Sequence, residues 1–235
     1  MTGGSFLAHI KLSMSNKQKA IFLILAVLVA DQILKIWIKT HLVSGGEIVV
    51  FQNWFILHFV ENNGMAFGIE FGNSIGKYLL SIFRLVAIVA LVWYLAKLLK
   101  KGVPFGLIVC FSLILAGAIG NMIDGAFYGL IFNESYGQIA SLFPPGGGYA
   151  SFLQGKVVDM FYFPMIETRY PSWFPIWGGQ DFIFFRHIFN IADSAVSTGV
   201  FAIFLFYRNY FGGSDASENE ITEETKPDSV SGNII

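Results

Sequence analysis

Four stretches of the sequence, near 20–39, 75–96, 103–123 and 187–207, are apolar over about the 20 residues a helix needs to cross a bilayer core. Inside hydrocarbon each backbone polar group must be bonded within its own segment, so such stretches can only be helices. Composition points the same way. The chain is 54% hydrophobic and 13% charged, with mean hydropathy +0.61, whereas soluble domains carry about a quarter charged residues. The first stretch runs on from "IFLILAVLVA" into "DQILKIWIKT" without a small-residue cleavage site, so it reads as a retained helix.

A net charge of −1 gives no basic field for nucleic acid. Cys110 is the single cysteine, stands in an apolar run and reads as a small buried hydrophobe. There is no "HExxH", and His9, His41, His58 and His187 show no ligand spacing, so no metal site is expected.

The cations set an orientation. Lys11, Lys17 and Lys19 precede the first span, Lys97, Lys100 and Lys101 separate the second from the third, and Arg208 follows the fourth. Segment 41–74 has no Lys or Arg. The positive-inside rule then puts both termini in the cytoplasm, with 41–74 and 124–186 outside. Residues 1–19 form a cytoplasmic leader, 20–207 the membrane domain, and 208–235 an acidic tail expected to be disordered. In the first outer segment "EIVVFQ" and "FILHFVE" suit short strands and "ENNG" a turn; "VVDMFYF" in the second is a further strand or extended piece. Trp173 and Trp177 suit the bilayer–water interface.

Within that topology the membrane-embedded polar residues converge. Asp31 and Lys35, four apart, share a face in the outer half of the first helix and can pair. Asn121 and Asp124 lie at the outer end of the third. Asn190 and Asp193 fall in the first two turns of the fourth, with Asp193 about 8 Å below the helix start. Asp159 belongs to the outer loop region. Three helices and one loop thus direct polar groups to one site at the outer surface. Lys77 and Arg84 are expected to snorkel to headgroups. Asn121 and Asn190 also suit interhelical bridging. An ionised carboxylate in a membrane helix is unfavourable by a few kcal/mol or more and usually marks a functional site.

Two close carboxylates cannot both ionise freely; one is raised and the pair shares a proton. One can then activate water while the other polarises a carbonyl, which is acid–base peptide hydrolysis. Serine chemistry fits less well, since there is no "GxSxG". Intramembrane Asp and Lys also serve proton relays, so a small proton-coupled transporter or channel is the rival reading, and a catalytically idle membrane scaffold a third.

The pieces "DQILK" (31–35), "NNGMAFG" (62–68), "GAIGNMID" (117–124), "VVDMF" (157–161) and "FNIADSAV" (189–196) together resemble lipoprotein signal peptidase, the signal peptidase II family of bacterial membrane aspartyl proteases. The resemblance implies an all-α membrane protein of four transmembrane helices, with a small extracytoplasmic β-element from 41–74 and an extended outer loop region. It implies cleavage of diacylglyceryl-modified prolipoproteins before the lipidated cysteine, in the bacterial inner membrane, without cofactor. It places the catalytic aspartates at Asp159 and Asp193, with support from Asp31, Lys35, Asn62, Gly117, Asn121, Asp124, Asn190 and Ala192. Membrane lipid and globomycin-type inhibitors are the other expected ligands.

Two departures stand out. Many members read "GNxxDR", where this chain has Gly125; Arg84, Arg169 and Arg186 are the candidate replacements. The outer segment is long, with insertions around 130–155 and 166–185. "PPGGG" (144–148) and "YPSWFPIWGG" (170–179) suggest that these insertions border the entrance and close over substrate as lids.

Overall fold

A computed structural model describes residues 14–52, 54–63, 74–164, 166–169, 171–176, 178–184 and 187–212. Four helical stretches are long and apolar enough to cross a membrane: Asn16–His41, Ile75–Lys101, Phe105–Ile131 and Ile191–Phe211. The expected acidic tail beyond 212, the leader before 14 and most of "NNGMAFG" lie outside the described residues.

α1 (Asn16–His41) begins at a capping box, in which Ser15 and Gln18 satisfy each other's backbone N–H. α2 (Ser74–Lys101) ends at Gly102, whose φ of +65° closes the helix in the left-handed region. Pro104 then opens α3 (Phe105–Ile123). The third span does not stop at 123 as expected. It continues through a π-helical turn (Asp124–Tyr128) into one further turn, α4 (Gly129–Ile131). The widened turn frees the Gly125 and Ala126 carbonyls, which accept from Gly155 N at 2.8 Å and Leu153 N at 3.2 Å. Such turns are rare and concentrate at functional sites.

α3 is the central helix. A Cβ on Gly117 would lie 2.2 Å from the Ala192 carbonyl oxygen, and one on Gly120 2.9 Å from Asp31 Oδ2. Small residues here let backbones approach in a way no larger side chain allows. Outward faces are apolar, as lipid requires: Phe22, Leu25 and Val29 on α1, Phe83, Val86 and Trp93 on α2. At the end where α1 starts and α2 passes into α3, Ala20, Leu95, Leu98, Leu107 and Ile108 pack together. At the other end Ile38, Phe59, Tyr128, Phe132, Val158 and Met160 form a second core.

That second core underlies an antiparallel sheet of β1 (Glu47–Phe51), β2 (Phe55–Asn62) and β3 (Val157–Tyr162). β2 runs one residue past the expected strand, through Asn62, because Asn62 still pairs with β3: Glu61 faces Val158 and Asn62 faces Val157. A separate hairpin pairs β4 (Ile166–Arg169) with β5 (Asp181–Phe184). The fourth span starts with α5 at Ile191 (Ile191–Ala202), four residues later than expected, and runs on through a second π turn (Ile203–Tyr207) into α6 (Arg208–Gly212).

The insertion around 130–155 is a packed wall rather than the hinged lid expected of it. Phe132 and Ser135 are fully buried. Tyr149 N donates to Phe132 O and Ala150 N to Gly129 O, both at 2.9 Å. Buried Lys39 of α1 pairs with Glu61 of β2 and donates to Ser135 Oγ at 2.7 Å, while Lys156 reaches Glu134 at 3.1 Å and Glu61 at 3.4 Å. Closure of this segment as a unit would break that buried network. In the second insertion Trp173 is 77% exposed on the loop of the β4–β5 hairpin; Trp177 and Arg186 lie outside the described residues.

Candidate active site

The site is built where α1, α3, α5 and β3 meet. Its base is a buried ionic triad. Lys35 Nζ lies 2.9 Å from Asp31 Oδ2, 2.8 Å from Asp124 Oδ2 and 3.0 Å from Asn121 Oδ1, which engages all three ammonium protons. Each carboxylate then uses another lone pair on a different element. Asp31 Oδ1 accepts from Ala192 N at 2.9 Å, in the first turn of α5. Asp124 Oδ2 accepts from Val158 N at 3.2 Å, in β3. The triad therefore fixes the two elements that carry Asp193 and Asp159. Charges buried this way survive only when paired and hydrogen-bonded throughout, and no buried side-chain N or O among the described residues lacks a partner.

β3 is stapled to the start of α5. Phe161 N donates to Phe189 O at 2.7 Å and Phe189 N returns a bond to Phe161 O at 3.1 Å. The next residue, Asn190, caps α5: its side-chain oxygen accepts from Asp193 N at 2.8 Å. Its amide nitrogen donates to Asp159 Oδ1 at 2.7 Å and lies 3.2 Å from Asn121 Oδ1. Asn121 Nδ2 in turn donates to Asp193 Oδ1 at 2.7 Å. Two asparagines thus hold two aspartates, one on a strand and one on a helix. Asn62 of β2 adds a bond to Asp159 Oδ2 at 3.2 Å.

The acids differ in setting. Asp159 is 3% exposed on β3. Burial, followed by the charge of Asp193, pushes its carboxyl up from 3.8 to about 7, against the opposing bonds from Asn62 and Asn190 and the charge of Lys35. Asp193 is half-buried in the first turn of α5, where an acidic residue also stabilises the helix. Because α5 starts at Ile191, Asp193 is about 3 Å along the helix, not the 8 Å expected.

Every residue expected at the site is brought there. Gly117 and Ala192 serve by close backbone approach rather than by a polar group. Two further residues, Gln32 and Tyr128, were not anticipated. Gln32 donates to Asp124 Oδ1 at 2.9 Å, and Tyr128 donates to Gln32 Oε1 at 3.1 Å, completing the shell around the triad. Arg84 turns inward, its Nη1 standing 3.8 Å from where a Cβ on Gly125 would sit. Gln32 adjoins Asp31 in "DQILK", but nothing in sequence marks the face it uses.

A membrane bundle that holds two aspartates in one hydrogen-bonded network at one end defines a class: a multi-pass protein with a carboxylate pair. The comparisons give that class a family. The sequence model described as signal peptidase (SPase) II matches residues 23–208. The lipoprotein signal peptidase of Porphyromonas gingivalis is 49% identical over 210 residues, covering 87% of this chain and 91% of that protein. The lipoprotein signal peptidase of Amoebophilus asiaticus is 38% identical, covering 77% and 74%. A solved bacterial membrane enzyme structure superposes with a TM-score of 0.51 at 25% identity, covering 81% of this chain and 94% of that one. The chain belongs to the signal peptidase II family. It is a membrane aspartic protease by class, and the small-transporter reading is not supported.

Proposed function

We propose that the protein removes signal peptides from diacylglyceryl-modified bacterial prolipoproteins by cutting before the lipidated cysteine, with Asp159 and Asp193 as the catalytic pair. The observation that supports this best is the pair itself, held in one network by Asn121 and Asn190. Asp159, raised to about 7, holds the proton and donates it to the oxygen of the scissile carbonyl. Asp193, half-buried, takes a proton from the attacking water. The tetrahedral diol then collapses as Asp193 gives its proton to the departing cysteine nitrogen and Asp159 takes a proton back from a diol hydroxyl, which breaks the C–N bond and restores both acids. Asp31, Lys35, Asn62, Gly117, Asn121, Asp124, Asn190 and Ala192 position the pair.

The same reading sets location. Lys19 Nζ lies 5.2 Å from the Phe105 ring centroid, so the start of α1 and the α2–α3 turn, with Lys97, Lys100 and Lys101, share one end of the bundle. That end is cytoplasmic, both termini with it, and the sheet and the acid pair face outward at the inner membrane. Membrane lipid holds the substrate's acyl chains beside the site, and a globomycin-type inhibitor would occupy it. The test is incubation of the purified protein with a diacylglyceryl-modified prolipoprotein. Mass measurement should show a free signal peptide and a mature chain beginning at the modified cysteine; an intact precursor would reject the reading.

A further inference from the structure

Arg84 lies ten residues into α2, about 15 Å from the helix start, at a depth where a cation is unfavourable unless partnered or facing a cavity. Snorkelling was the expectation, and the side chain does the opposite. It points away from lipid toward Gly125, where nothing else comes within 4 Å of a built Cβ. It is within electrostatic reach of Asp193, Asp124 and Asp159. Yet it makes no hydrogen bond or ion pair among the described residues. A guanidinium carries five N–H donors in a fixed fork. The rest of this part of α2 is fastened, since buried Ser81, one turn earlier, donates to Leu153 O at 3.2 Å. The site's buried cation, Lys35, is by contrast fully engaged.

We propose that Arg84 is a substrate-binding residue, whose guanidinium donates to a carbonyl oxygen of the lipopeptide beside the scissile bond. This rests on the peptidase reading above. The acceptor is an oxygen that arrives with substrate, because none of the described residues supplies one. Two kinds of such oxygen exist on the substrate, the backbone carbonyls and the glyceryl ester carbonyls, and both offer the same chemistry. Gly125 leaves the space open from the α3 side, so a longer side chain at 125 can enter it once Arg84 is shortened.

The experiment uses the full chain in lipid nanodiscs with a synthetic diacylglyceryl lipopeptide. Cleavage by the parent protein is the control that tests the peptidase reading separately. Against an active parent, Arg84→Ala should raise KM by roughly ten- to a hundredfold, the worth of a charge-assisted hydrogen bond, with kcat changed much less. Arg84→Lys should fall between. Arg84→Ala combined with Gly125→Arg should recover part of the lost affinity, which a purely structural role for Arg84 would not allow. A matched substrate with ether-linked chains names the oxygen. If its KM no longer depends on Arg84 the acceptor is the ester carbonyl; if the dependence persists it is the backbone. Should Arg84→Ala fail to fold, Arg84→Lys and the double variant carry the test. Unchanged KM in Arg84→Lys and Arg84→Ala, or a loss confined to kcat with a displaced pH profile, would make Arg84 a counter-charge and overturn the proposal.

Discussion

Asn190 Nδ2 donates to Asp159 Oδ1 at 2.7 Å from a residue whose own Oδ1 caps the helix bearing Asp193. One side chain thereby sets the position of both acids. Asn190→Ala should lose the cap, about 1 kcal/mol of stability, together with at least tenfold of activity. Asn190→Ser keeps a capping oxygen but cannot reach Asp159 in the same way. It should melt near the parent temperature and still lose activity. Full turnover by the serine variant would show that the bond to Asp159 is dispensable.

Asp159 dictates a pH dependence. Its carboxyl is raised from 3.8 to about 7, so the acid form needed for proton donation disappears as pH climbs through about 7, and cleavage should fall on that limb. Asn62 holds the carboxylate form by a hydrogen bond and so lowers this value. Asn62→Ala should therefore move the alkaline limb to higher pH, and a shift to lower pH would contradict the assignment. Stability follows the same sign. The fold favours the protonated acid, so its contribution is complete below about pH 4 and is lost progressively up to about pH 7. Melting curves of Asp159→Asn should lack that decline.

Among the described residues Lys35 is the sole cation within hydrogen-bonding distance of Asp31 and Asp124. Lys35→Met leaves two buried carboxylates without a counter-ion and should destabilise by about 3–5 kcal/mol. Asp31→Asn removes one carboxylate yet keeps an acceptor for Ala192 N. It should weaken folding or activity less sharply than substitution of Asp193 does. Thermal melts followed by intrinsic fluorescence, beside the cleavage assay, distinguish the two effects.

Gly117→Ala places a methyl 2.2 Å from the Ala192 carbonyl oxygen. α5 must move, and with it Asp193. The expected cost is about 1–3 kcal/mol, with activity falling further than stability. Replacing 144–148 with a short Gly/Ser linker, in contrast, alters an exposed turn of the packed wall and should leave turnover near the parent value. A large loss there would restore a lid role for the insertion.

Much of this architecture was legible in the chain. The four spans follow from length and hydropathy, and the convergence of Asp31, Lys35, Asn121, Asp124, Asn190 and Asp193 follows from their shared depth. Asp159 was harder, because it lies on a strand whose partner β2 and staple at Phe189 are long-range contacts that no local pattern announces. Helix ends were also missed. A π turn after Asp124 carries α3 eight residues further than expected, and the Asn190 cap sets the start of α5 at Ile191. The inward turn of Arg84 depends on the gap at Gly125, which belongs to a different helix.

The pairing of Asp159 with Asp193 is the centre of this account. Its most direct measurement is the mass of the product formed from diacylglyceryl-modified prolipoprotein by the parent, Asp159→Asn and Asp193→Asn proteins at equal folded concentration. The account predicts signal-peptide release by the parent and intact precursor with either variant, both variants remaining folded. Near-parental release by either variant would remove that aspartate from the chemistry and contradict the pair.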